Sequence, residues 1–330
     1  MDIVDGHLDL AYNAMRGRPV ELPAGQQPVD EEGIPTVGLP DLRRGGVSLV
    51  CATIFCEPAL EAKPGYRTPE EAHAAAMKQL DWYRRQEADG RIKFIRSADE
   101  LSAAADLRAI LLLEGADPIR HEEDVRRYWD AGLRIVGLAW KRTRYSGGTN
   151  APGPLTPAGI ALVKTLDRLG IIHDASHLAE ESFWQLLDLT AAGVIASHSN
   201  CRAIVPTDRQ LSDAMIRAIA ARGGVIGINF FDKFLLPPHQ YGKRRATLAD
   251  VILHMRHICD SVGDAAHVAL GTDMDGGLGR NEIPVEIETS ADLPRVADAL
   301  EQAGFGDADI HAIMSGNWSR FFAEHLPRDQ

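Results

Sequence analysis

The sequence predicts an α/β protein, a (β/α)8 TIM-like barrel with extra C-terminal helices, and two observations carry the prediction. Eight short apolar, β-rich runs recur along the 330 residues, with helical stretches between them. Five of these runs end in histidine, aspartate or glutamate, which places six such groups at strand ends. Near-continuous apolar runs suit strands buried on both faces of a parallel sheet, and alternation with helices gives such a sheet. An open doubly wound sheet shows the same alternation, but only the strand ends near its switch point converge. A barrel brings all eight C-terminal ends around one axis, so the convergent polar ends favour the barrel.

The runs cover residues 2–9 (DIVDGHLD), 47–55 (VSLVCATIF), 109–115 (AILLLEG) and 133–140 (LRIVGLAW), followed by 171–177 (IIHDASH), 193–198 (GVIASH), 224–230 (GVIGINF) and 267–273 (HVALGTD). Between them, residues 69–90 open with Thr68 as N-cap and Pro69 at the first helical position, and close at Gly90. Residues 156–169 repeat that layout with Thr156, Pro157 and Gly170. A helix over 212–221 precedes the Gly223-Gly224 pair. In 247–262, Leu248, Val251, Ile252, Met255, Ile258, Cys259 and Val262 fall on one helix face. Residues 16–35, 142–154 and 232–245 read as loops, and the tail from Ser290 as two or three helices closing the molecule. One barrel domain spans 1–330.

Composition narrows the partners. Forty-seven acidic against 35 basic residues give a net charge of -12, the wrong sign for a nucleic-acid-binding protein. A hydrophobic share of 45% and a mean hydropathy of -0.16 exclude a disordered chain and a fibre. Residues 1–20 are charged and lack an apolar core, the C-terminal end is polar, and no apolar run reaches the length of about 18 residues that spans a membrane. Cys51, Cys56, Cys201 and Cys259 lack metal-site or CxxC spacing and read as reduced, mostly buried thiols. Together these features predict a cytoplasmic protein with no nucleic-acid or membrane partner.

The strand ends carry the chemistry. Residues i and i+2 of a strand share a face, so His7 and Asp9 can point at one ion. Glu114, His177, His198 and Asp273 end the third, fifth, sixth and eighth runs, with Asp275 two residues on. One histidine at a strand end is ordinarily satisfied by a hydrogen bond. A whole set of buried imidazoles and carboxylates costs several kcal/mol per unpartnered group unless a shared cation satisfies it. A donor set with no thiolate suits Zn²⁺, with Mn²⁺, Fe²⁺ or Co²⁺ as alternatives. The set exceeds what one tetrahedral zinc needs and matches two ions about 3.5–4 Å apart. His173 reads as a residue pointing into the barrel near the site. His254 and His257 lie on a helix, and His267 begins its strand at the wrong end.

The motifs DGHLDL (5–10), LPDLRRGGV (39–47), LLLEGAD (111–117), GIIHDASHL (170–178), ASHSNCRAI (196–204), RQLSD (209–213), GGVIGINF (223–230), VALGTDMDGG (268–277) and SGNWSRFF (315–322) run through almost the whole chain. In this order the sequence resembles the membrane (renal) dipeptidase family, a branch of the amidohydrolase superfamily of metal-dependent barrel hydrolases. The resemblance implies that His7 and Asp9 bind a first metal, that Glu114 bridges both, and that His177 and His198 bind a second. It implies proton handling by Asp273 and capture of the substrate carboxylate by Arg209. The implied reaction is hydrolysis of a dipeptide, with a D-residue allowed in second position, by a hydroxide bridging two divalent ions, Zn²⁺ first among them. The implied partner is a small peptide substrate, and a homodimer is left open. One departure stands out: Trp140 occupies the position where animal members carry a histidine that polarises the scissile carbonyl, and Lys141 the position of the asparagine after it. Trp140 is therefore expected to pack beside the substrate side chain. Two alternatives remain, an amidohydrolase acting on N-acyl amino acids or cyclic amides, and a catalytically silent metal-binding homologue.

Overall fold

The computed structural model describes residues 2–60 and 64–328. Its strands are β1 (Ile3–Leu8), β2 (Val47–Phe55), β3 (Lys93–Phe94), β4 (Arg108–Glu114), β5 (Leu133–Gly137), β6 (Ile172–Asp174), β7 (Val194–Ile195), β8 (Ile226–Ile228) and β9 (Val268–Leu270). The two-residue β3 pairs only with β4, and the other eight follow the order β7-β6-β5-β4-β2-β1-β9-β8. All pairings are parallel. The β7/β8 seam closes through Ala196 N–H to the Val225 carbonyl (3.0 Å), Gly227 N–H to the Ala196 carbonyl (2.8 Å) and Ser199 N–H to the Gly227 carbonyl (2.7 Å). The result is a parallel barrel with helices between its strands.

Each apolar run contributes one barrel strand, but several ladders stop short of the run. Side chains take over from the ladder there. Asp174 Oδ1 accepts the backbone N–H of Ser176 and of Ser197, both at 2.9 Å. Asp5 accepts the Thr272 N–H at 2.9 Å and its hydroxyl at 2.6 Å. β3 and the short helix Leu39–Arg44 were not anticipated, being too short to show a period. The 232–245 segment, expected as loop, opens with one helical turn, Asp232–Leu235.

Strand alternation builds two cores. On β4, Ile110, Leu112 and Glu114 share one face, and Ala109, Leu111 and Leu113 the other. Ile110 and Leu112 join Val4, Leu49, Cys51, Ile135, Ile172 and Ile195 inside the barrel, while the second face packs beneath the helices. Trp318, Phe321 and Phe322 of the C-terminal helix Asn317–His325 belong to the interior cluster, and the Trp318 indole N–H donates to the Leu270 carbonyl at 2.8 Å. The wall is tight at Gly227 and Gly271, where a Cβ would lie 2.0 and 1.8 Å from the Ser197 carbonyl oxygen. With apolar side chains filling the interior, Glu114 is left at the C-terminal mouth.

The helices start where their caps direct. Thr68, Thr156 and Ser212 accept the N–H of Glu71 (3.3 Å), Gly159 (3.1 Å) and Met215 (3.4 Å). Helix Leu248–Val262 carries a Thr247/Asp250 capping box and ends at Gly263, φ 96°. The tail forms Arg295–Gln302, then Asp307–His311 continuing through a π-helical turn, Ala312–Gly316, into Asn317–His325. Among the described residues, no helix is long and apolar enough to cross a membrane.

His254 ties this frame together and predicts its response to acid. Its Nδ1 accepts the Cys201 N–H at 3.1 Å and its Nε2–H donates to the Leu235 carbonyl at 3.1 Å. Burial pushes its pKa down from 6.5 to about 4. A depressed histidine pKa means the unfolded chain takes up the proton first. Stability is therefore complete above pH 6.5 and is lost as pH falls toward 4, by up to about 3 kcal/mol. Denaturant titrations over that range should show a shallower pH slope for His254→Gln than for the parent. Identical slopes would refute the assignment.

Candidate metal centre and active site

Six of the expected residues meet at the C-terminal mouth of the barrel. His7 Nε2 lies 3.6 Å from Asp9 Oδ2, 3.7 Å from Glu114 Oε2 and 4.0 Å from Asp273 Oδ1. Glu114 Oε1 lies 3.1 Å from His177 Nε2 and 3.4 Å from His198 Nε2, and those two nitrogens are 3.0 Å apart. Glu114 thus turns one oxygen toward His7 and the other toward His177 and His198. Three overlapping triads, His7–Asp9–Glu114, Glu114–His177–His198 and His7–His198–Asp273, each have their donor atoms within 4.8 Å of one another.

This donor set fits divalent metal. His7 Nε2, Asp9 Oδ1 and Glu114 Oε1 are buried without a hydrogen-bond partner, which is costly unless a cation serves them. Burial opposes charge on His7, yet Glu114, Asp9 and Asp273 outweigh it and push its pKa up to about 10, so the cluster favours a positive charge. Burial first, then the positive field of Arg209 and His7, holds His177 and His198 well below their ordinary value. Neutral imidazole is the form that ligates metal.

Residues behind the cluster orient it. The Ser197 hydroxyl donates to Asp174 Oδ2 at 2.5 Å. Its only proton is then used, so its oxygen accepts from the Nδ1–H of His198 (2.7 Å) and of His7 (3.2 Å). Both rings are thereby fixed with the Nε2 lone pair facing the cluster. Thr149 Oγ1 stands 3.0 Å from His177 Nδ1 in the equivalent place. The sequence did carry a signal for Asp174 and Ser197, as polar residues within the apolar runs 171–177 and 193–198. Strand parity also corrects the placement of His173. It faces the helix layer, with Nε2 2.6 Å from Asp167 Oδ1, while Asp174 takes the interior position.

Asp273 and Asp275 separate sharply. Asp273 accepts the Asn229 amide N–H at 2.8 Å through Oδ2, and burial raises its pKa to about 7. Asp275 is turned away: it accepts the Thr36 N–H (2.9 Å), the Thr36 hydroxyl (2.7 Å) and the Val37 N–H (2.9 Å), and lies 3.5 Å from Arg18. Positive φ at Asp273 (57°) and Asp275 (63°) breaks the alternation that would have put both on one side. Asn150 and His177 are the other non-glycine residues with positive φ among those described, and both line the cleft. Such strain persists where the surrounding contacts over-determine it, and it collects at functional sites.

The cleft has two compartments. One, of about 220 Å³, lies over Asp9, Glu114, His177, His198 and Asp273, with Tyr12, Phe55, Glu32 and Glu57 at its sides. The other, of about 240 Å³, is lined by Arg209, Lys141, Lys233 and Asp208. Trp140, His177 and Phe234 line both. Trp140 is half-buried, its ring centroid 5.3 Å from Phe55 and 6.3 Å from His177. Arg209 is buried. Its Nη1 donates to Ser199 Oγ (3.0 Å), its Nη2 to the His198 carbonyl (2.5 Å), and its Nε has no partner.

Residues 1–327 match the family described as membrane dipeptidase (peptidase family M19). A protein of Klebsiella pneumoniae from the pqqA 5' region is 31% identical over 246 residues, covering 70% of this chain and 88% of that one. The dipeptidase tcpJ of Claviceps purpurea is 28% identical over 320 residues, 90% of this chain and 72% of its own. A crystal structure of a metallo peptidase from Rhodobacter sphaeroides, liganded with a phosphinate mimic of the dipeptide L-Ala-D-Ala, superposes with a TM-score of 0.85 at 26% identity over 99% of both chains. The chain belongs to the membrane dipeptidase family, and it is a metallo-dipeptidase of the barrel fold.

Proposed function

We propose that this chain hydrolyses dipeptides with a free C-terminus at a two-metal centre, with zinc the favoured ion. The residues that would hold the metals are His7 and Asp9 on one side, His177 and His198 on the other, and Glu114 between them. The single observation that carries this reading is the placement of Glu114, whose two oxygens face two separate ligand groups. When bound, divalent ions would supply Lewis acidity toward the scissile carbonyl and would lower the pKa of water enough to furnish a nucleophile near neutral pH.

The chain's own residues do the rest. Asp273 lies beside this centre, and burial raises its carboxyl above the ordinary value, which suits a group that takes a proton from the nucleophile and returns it to the leaving amine. Asn229 holds Oδ2, leaving Oδ1 directed toward the reacting atoms. Arg209 would take the substrate carboxylate through its planar fork, and Phe234 beneath it, 5.2 Å from ring centroid to guanidinium carbon, keeps water out. Trp140 separates the compartments and would pack on the second residue of the substrate. That residue can be of D-configuration, a reading supported by the L-Ala-D-Ala mimic in the Rhodobacter sphaeroides relative.

The Arg209 assignment predicts a measurable preference. The parent enzyme should strongly favour a dipeptide over its C-terminal amide, and Arg209→Met should lose that preference together with about 2–5 kcal/mol of transition-state binding. Arg202 pairs with Glu180, while Arg142 donates to the Pro152 carbonyl and Arg144 to the Ile119 carbonyl, so none of them is placed to substitute. An undiminished preference in Arg209→Met would move carboxylate recognition elsewhere. N-acetyl amino acids assayed alongside should be poor substrates.

A further inference from the structure

The compartment around Arg209 holds more positive charge than one substrate carboxylate requires. Arg209, Lys141 and Lys233 line it against one carboxylate, Asp208, which already accepts the Asn150 N–H at 2.8 Å. Lys141 lies with Nζ 5.5 Å above the Trp140 ring, and among the described residues neither lysine is paired with a carboxylate. One guanidinium matches one backbone carboxylate in a bidentate pair. With Asp208 offsetting one of the three cations and the substrate carboxylate another, one unit of positive charge is left over at Lys141 and Lys233 in the same 240 Å³. A second anion entering with the substrate would offset it.

The opposite compartment has Glu57 and Glu32, the latter 2.9 Å from Arg16, beside the metal-facing groups. A dipeptide with its ammonium end over the metal centre would place its second side chain beside Trp140, Lys141 and Lys233. We propose that Lys141 and Lys233 determine specificity by recognising an acidic side chain on the second residue, so that dipeptides ending in aspartate or glutamate are the preferred substrates. This inference rests on the dipeptidase reading above. It adds the identity of the second residue. It also gives a role to Lys141.

The test uses the metal-loaded enzyme and five dipeptide sequences sharing an N-terminal alanine, Ala-Ala, Ala-Asp, Ala-Asn, Ala-Glu and Ala-Gln, each made with an L- and with a D-second residue. The parent should favour acid over matching amide by at least about tenfold in kcat/KM, the lower range for a close charge pair at a binding site. Raising the salt concentration should shrink that ratio, and Lys141→Met/Lys233→Met should bring it to about one. Lys141→Arg should keep the preference. Both lysines sit at the rim of the cleft, and the acid-to-amide ratio of the parent alone decides the matter if the double variant folds poorly. Turnover of Ala-Ala with equal rates on Ala-Asp and Ala-Asn overturns this inference and leaves the dipeptidase reading intact. No turnover of any of the five sinks both.

Discussion

Glu114→Gln is expected to abolish dipeptide turnover and to leave the protein folded with less bound divalent metal than the parent. Glutamine keeps the volume and the position on β4, so the barrel interior beneath it is not disturbed. It removes the negative charge that His7, His177 and His198 face at 3.1–3.7 Å, and it turns one of the two oxygens into an amide that cannot ligate. The loss in kcat/KM should exceed about 10³-fold, because several kcal/mol of transition-state charge stabilisation depend on the ions that Glu114 would bridge. His198→Ala should lose metal as well, but from one side of the centre only. The measurement is metal content by elemental analysis beside turnover, with circular dichroism to confirm the fold. Full occupancy in Glu114→Gln with parental activity would falsify the bridging assignment.

The barrel and the convergence of its polar strand ends were legible in the sequence for one reason. Apolar runs that end in histidine or carboxylate report burial and functional termini in the same few residues. His7, Asp9, Glu114, His177, His198 and Asp273 all show this, and all six meet at the barrel mouth. What stayed hidden depended on backbone conformation and on contacts distant in sequence. His173 and Asp174 are adjacent polar residues, and only the pairing register decides which of them faces inward. Asp275 looks equivalent to Asp273 in sequence, yet positive φ at both sends it to Thr36, Val37 and Arg18 instead. The Ser197 hydroxyl serves His7 across 190 positions, a link no local pattern can show. Asn229, which holds Asp273, sits in an apolar run as an ordinary polar residue. Short elements such as β3 fall below the length at which a period exists.

Asp273→Asn is expected to cost about 10²–10⁴-fold in kcat, the usual contribution of a positioned proton-transfer group, with metal content and folding unchanged. Asparagine is close in shape, and its amide oxygen can still accept the Asn229 N–H now received by Oδ2. What disappears is the oxygen directed at the cluster, Oδ1, and with it the group that can carry a proton. A carboxylate raised by burial above its ordinary value can both take and return one, and an amide can do neither. Asp275 cannot take over, because its oxygens are occupied by Thr36 and Val37, with Arg18 alongside. Asp275→Asn therefore provides the contrast: it should lower the melting temperature through loss of a buried charged acceptor, and its metal-loaded form should keep most of its turnover. The two variants are compared by thermal unfolding, metal analysis and single-turnover kinetics on one dipeptide. If Asp273→Asn retains parental kcat with full metal content, the proton is carried by solvent, and Asp273 is a metal-side structural carboxylate.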